Sequence, residues 1–198
     1  MPEVSTDVWE ICRTQGSRAA YVALNEFLER PMRTWGKKSI QDLERWAIEF
    51  SSHKVWPLAV LSWIALLLIL KAGGEEEKRA YFFNDLGTAF FLTLDSRCFL
   101  CFHKALRLTK SPGRRMRTLR RAGRATAVIS RDYEKARRWF KAAIFVGERY
   151  RLGPDAVEKI RADLEHMELR FEPIRRDLEA DKDPSLVNML KSVDPGEF

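Results

Sequence analysis

The chain is predicted to be all-α, built from antiparallel helical hairpins stacked side by side and closed by a long C-terminal helix. Three observations lead there. Apolar residues recur at three- and four-residue steps through most of the 198 residues, the spacing of one helix face. No stretch shows the alternating, valine- and threonine-rich pattern of a strand. One pattern also returns: Trp56, Ala59, Trp63 and Leu67 stand 39 residues before Asp95, Cys98, Phe102 and Leu106, which stand 38 before Tyr133, Ala136, Phe140 and Ile144. The alternative is a helical bundle without repeats.

Composition is that of one domain spanning 1–198, divided into N-terminal helices (1–38), hairpins (39–150) and a capping helix with a tail (151–198). Apolar residues make up 45% of the chain, and six Trp and twelve Phe supply large surfaces to bury. Three cysteines, Cys12, Cys98 and Cys101, make no disulfide framework at this length, which fits a reducing compartment and a cytoplasmic location. The first residues, MPEVSTDVWEICRT, lack the basic-then-apolar pattern of a secretion signal.

In chain order, Ser5 or Thr6 is expected to cap a short helix through Cys12, and Gly16-Ser17 to start another with Ala20, Leu24, Phe27 and Leu28 on one face. Pro31 and Gly36 break the chain. After Ser39, the spacing of Ile40, Leu43, Ala47 and Phe50 gives an amphipathic helix with Asp42, Glu44 and Arg45 outside. The run 55–70, VWPLAVLSWIALLLIL, is the most apolar in the chain. As a helix it covers about 24 Å, short of a hydrocarbon core of about 30 Å, so it reads as a central helix buried on most sides. Gly73-Gly74 ends it, and Glu75 to Glu77 open the next helix at the positive end of its dipole.

Two hairpins follow. Leu86, Gly87, Ala89 and Phe90 mark a first helix, and Cys98, Phe102, Ala105, Leu106 and Leu108 a second; small residues let the helices approach and aromatics fill the angle between them. After the turn at Lys110-Ser111-Pro112-Gly113 a basic helix leads to Tyr133, Ala136, Trp139, Phe140, Ala143 and Ile144. In this alignment Arg124 stands where Gly87 stood. Beyond Gly153-Pro154, the residues Val157, Ile160, Leu164, Met167, Phe171, Ile174 and Leu178 form a heptad stripe that stays in phase through Pro173. One long helix kinked there is expected, with Glu158, Lys159, Arg161, Asp163 and Glu165 on its outer face. It would cover the last apolar face or serve as a homodimer seam. Asp183-Pro184 is expected to start a short final helix.

The hairpin landmarks resemble the tetratricopeptide family over roughly residues 40–150, and the line from Tyr133 to Ile144 is also similar to Sel1-type repeats. The resemblance implies that first helices line a concave groove, so Arg117 and Arg121, with Asn84 and Thr88 of the preceding copy, would face a bound peptide. The family's carboxylate-clamp pattern of Lys and Asn is not reproduced, and no particular C-terminal peptide motif is implied.

Charge is concentrated in residues 110–141, where twelve basic residues meet two acidic ones, a local excess above the whole chain's +7. Arg114, Arg117, Arg121 and Arg124 form one stripe at helical spacing, a row of guanidinium forks suited to carboxylates or phosphates. The bland alternative is a solvated face neutralised by the acidic C-terminal third.

The expected function is therefore a non-enzymatic adaptor that binds an acidic segment of a partner protein through the Arg-rich helix. The rival is RNA or DNA binding, with Trp139 and Phe140 beside Arg137 and Arg138, although their spacing puts those aromatics in the core. A third reading is a membrane-peripheral assembly factor using residues 55–70. No cofactor, metal or catalytic residue is expected: Cys98, Cys101 and His103 are too few for a structural zinc, and His53 and His166 have no nucleophile context.

Overall fold

The computed structural model describes residues 7–30, 37–71 and 75–181. The expected breaks at Pro31, Gly36 and Gly73-Gly74, the caps Ser5 and Thr6, and the short helix at Asp183-Pro184 lie outside them. The described residues form ten α-helices and one π-helical turn, with no strand among them.

Asp7 caps α1 (Val8–Gln15): its carboxylate accepts from the Trp9 amide at 3.1 Å. The same carboxylate accepts from the Trp46 indole at 3.0 Å and from Arg45, so the cap also ties α1 to α3 (Lys37–Ser52). Between them, Gly16 at φ 90° turns the chain into α2 (Ser17–Leu28), whose Ala20 and Leu24 are fully buried.

The apolar run becomes α4 (Trp56–Lys71), with Leu58, Ala59, Val60, Trp63, Leu66 and Leu67 all buried. Its hydroxyl-bearing Ser62 donates to the Leu58 carbonyl at 2.9 Å and so needs no outside partner. No helix among the described residues is long and apolar enough to cross a membrane.

Two hairpins follow: α5 (Glu76–Leu92) with α6 (Cys98–Leu108), and α7 (Pro112–Ala125) with α8 (Tyr133–Arg149). Successive helices pack on each other from α3 to α9, and α1 also touches α3, α2 touches α4, and α5 touches α7. That is the neighbour pattern of hairpins laid side by side in two layers. The turn between helices repeats as well. Lys54 and Leu94 both take the left-handed conformation, at φ 62° and 56°, while the next amide reaches five residues back: Val55 to Phe50 and Asp95 to Phe90, each at 2.8 Å.

In the α7–α8 hairpin a π-helical turn, Thr126–Ser130, precedes left-handed Arg131 (φ 52°). The extra chain there shifts the first helix relative to the second and changes the alignment: Gly123, not Arg124, is the counterpart of Gly87. Each glycine lies under the aromatic ring of its own hairpin, Gly87 under Phe102 and Gly123 under Phe140.

The C-terminal stripe folds onto this array as two helices, α9 (Pro154–Glu165) and α10 (Met167–Ala180). The break falls at His166 (φ −112°, ψ 32°), and α10 runs through Pro173, so the expected kink is displaced by seven residues. The turn at His166 swings α10 so that Phe171 stacks on Phe140, with centroids 6.0 Å apart and planes 12° from parallel. Val157, Ile160, Met167 and Phe171 are buried in the chain's own interior, which uses the stripe as a cover for the last hairpin.

Candidate functional site

Helix α7 is set by a Ser111 cap accepting from the Arg114 amide, with Pro112 at its first turn. Met116, Leu119, Ala122 and Gly123 turn inward, which sends the arginines to its two flanks. On the α5 side a cleft of about 290 Å³ opens, lined by Arg114, Arg117 and Arg121 from α7 and by Tyr81, Asn84 and Asp85 from α5. Its floor is stitched by Thr118, buried, which donates to the Asn84 Oδ1 at 3.0 Å.

The three cleft arginines differ in how they are held. Arg114 donates to the Glu77 carbonyl at 2.9 Å and to its carboxylate at 3.3 Å, with its guanidinium 5.6 Å above the Tyr81 ring. Arg121 donates to Asp85 at 2.8 Å. Arg117 is exposed; its Nε donates to the Gly113 carbonyl of its own helix at 3.4 Å, and it forms no ion pair with an acid among the described residues. Three guanidiniums therefore face two carboxylates, and the surplus positive charge is on Arg117. Glu77 is also gripped by the Lys110 amide at 2.8 Å and the Thr109 hydroxyl at 2.9 Å. The Lys110 amide first, and then Thr109 and Arg114, hold its carboxyl below the ordinary glutamate value against the opposing effect of burial.

Of the six residues singled out from the sequence, the cleft brings together Asn84, Arg114, Arg117 and Arg121. Thr88 and Arg124 stand apart from it. Thr88 donates to the Asn84 carbonyl within α5 at 2.9 Å. Arg124 belongs to the opposite flank of α7, where the carboxylate of Asp163, only 1% exposed, collects three arginines: Arg120 at 2.7 Å, Arg170 at 2.8 Å and Arg124 at 3.8 Å. Arg124 also lies 5.7 Å over Phe171, and its burial lowers its pKa from the ordinary arginine value. Asp163 is thus an inward residue, contrary to its expected place on the outer face of α9. Its proximity to Ile160 and Met167 on the helical wheel was the available signal. With Glu172 pairing Arg131 at 3.1 Å, the acids of the C-terminal third serve this second flank rather than the cleft.

The remaining expectations concern aromatics and thiols. Phe140 is fully buried between Gly123 and Phe171, so it has no face free to stack a base; Trp139 is partly buried, edge-on to His103. Cys98 and Cys101 are buried core residues, and burial pushes both thiols up, Cys101 to about 12. Among the described residues no group of three or more His, Cys, Asp or Glu is placed to hold a metal ion. No known family model, curated protein or solved structure matches the chain.

Proposed function

We propose that the chain is a non-catalytic scaffold of stacked, tetratricopeptide-like helical hairpins that holds an acidic segment of a partner protein in the α5–α7 cleft. The observation that carries this reading is Arg117: an exposed guanidinium without an acid partner among the described residues, between two arginines already fixed in place by Glu77 and Asp85. Fixed neighbours lower the ordering cost of binding, and an incoming carboxylate on Arg117 gains a charge-assisted bond without breaking an internal one. Tyr81 supplies an apolar wall, 37% exposed, against which a peptide side chain packs.

Nucleic acid has less support as a ligand of this cleft. Asp85 and Glu77 at its edge repel a continuous phosphate backbone, whereas a peptide can place one carboxylate on Arg117 and neutral groups beside the two acids. The test is affinity capture from the source cells with nuclease present, comparing the native chain with Arg117→Glu. The reading expects a discrete protein captured by the native chain, insensitive to nuclease and lost in the variant. Capture equal in both chains removes the cleft as the docking site.

A further inference from the structure

The second layer of the array carries a face that differs from the cleft in character. A 38-residue step relates α6 to α8, as Phe102 to Phe140 shows, and by that step Leu100, His103 and Arg107 hold the helix positions on α6 that Arg138, Lys141 and Phe145 hold on α8. The rings of His103 and Trp139 stand 6.5 Å apart where the two helices adjoin. All six residues are exposed, Phe145 to 59% and Leu100 to 41%.

Phe145 is the centre of this face. Arg138, Lys141 and Arg149 surround it on its own helix at seven, four and four residues, and the Arg149 guanidinium lies 6.0 Å over its ring. The nearby acids of α8 are engaged elsewhere, Glu134 with Arg137 and Glu148 with Arg161. Arg107, Arg138, Lys141 and Arg149 form no ion pair among the described residues.

We propose that this outer face docks on an anionic lipid bilayer surface. A large ring held in water among unpaired cations matches an interface where the ring enters the headgroup boundary and the long basic side chains reach lipid phosphates and carboxylates. Leu100 favours lipid over nucleic acid, because an aliphatic side chain has no planar face to stack a base on. The contact is peripheral, through the side of helices that do not span. The face belongs to α6 and α8 whereas the cleft belongs to α5 and α7, so a partner segment and a bilayer can be held together.

Vesicle co-sedimentation of the purified full chain tests this, with phosphatidylcholine alone and with phosphatidylcholine mixed with phosphatidylserine. The expected result is binding to the mixed vesicles that weakens as salt rises, little binding to the neutral ones, and a loss of more than about tenfold in Arg138→Glu/Lys141→Glu. Phe145→Ser is expected to weaken binding about tenfold without changing its salt dependence, and Arg117→Glu in the cleft to leave it unchanged. These side chains are exposed, and circular dichroism checks that each variant keeps its helicity. Sedimentation with neither vesicle, equal sedimentation with both, or unchanged binding in the α8 variants overturns the proposal. So does binding of a single-stranded oligonucleotide that excludes vesicles and is indifferent to Phe145→Ser.

Discussion

Gly87 lies so close under Phe102 that a Cβ built on it stands 2.7 Å from the Cε1 of that ring. Gly123 repeats the relationship with Phe140 at 2.9 Å. Both rings are in the core and have little room to move, so alanine at either position forces the hairpin apart. Overpacking costs about 1–3 kcal/mol, while replacing a helical glycine by alanine returns about 1 kcal/mol of propensity. Gly87→Ala and Gly123→Ala are expected to lower stability in chemical denaturation by up to about 2 kcal/mol. Gly113→Ala, at a position with nothing within 4 Å, is expected to be neutral or stabilising.

Lys54 is exposed and left-handed at the α3–α4 turn, a conformation that costs a non-glycine residue about 1 kcal/mol. Lys54→Gly is accordingly expected to stabilise the chain by about 0.5–1 kcal/mol, read as a higher thermal midpoint. A drop instead would show that the turn is not held in that conformation.

Asp163 answers three arginines from a position 1% exposed. Asp163→Asn keeps the shape and removes the charge, leaving Arg120, Arg124 and Arg170 to repel one another. Because those arginines are partly hydrated, the expected loss is about 2–3 kcal/mol, below the full penalty of breaking a buried pair. Equilibrium unfolding measures it, and added salt should recover part of the loss by screening.

Among the described residues, the carboxyls of Asp7, Glu77 and Glu172 have folded values below their ordinary ones. For Asp7, partial burial acts upward and is outweighed by hydrogen bonds from Arg45 and Trp46; for Glu172, desolvation is likewise outweighed by Arg131 and Tyr133. Glu77 is lowered first by the Lys110 amide. A lowered carboxyl stabilises the fold above its unfolded value, and that contribution disappears as pH falls through the folded one. The thermal midpoint is thus expected to hold from neutral pH to about 5 and to fall below about 4, with a shallower fall in Glu77→Gln.

Helix positions and the burial of α4 were legible because fifteen of the sixteen residues 55–70 are apolar and leave no polar face to expose. The repeat was legible in its second helices, where Phe102 and Phe140 keep step. It was lost in the first helices because the π-helical turn carries no residue signature, and Arg124 consequently took the place of Gly123 in the alignment. The break at His166 had no glycine or proline to announce it, while Pro173 announced one that the helix does not make. Arg114, Arg117 and Arg121 were picked out by charge and spacing, and Asn84 by the tetratricopeptide resemblance. How each arginine is occupied was not, since Glu77, Asp85 and Asp163 come from 36 to 43 residues away, and only tertiary packing decides which flank they serve.

The central claim is that Arg117 leaves the α5–α7 cleft with an unmet positive charge. Calorimetric titration of a short polyglutamate peptide into the native chain and into Arg117→Glu tests it directly, with Arg138→Glu as a control of equal charge on the other layer. The expected result is saturable binding by the native chain and by the control, weakened at least about tenfold in Arg117→Glu. Equal weakening in both variants would mean that net charge rather than the cleft attracts the peptide, and would contradict the account.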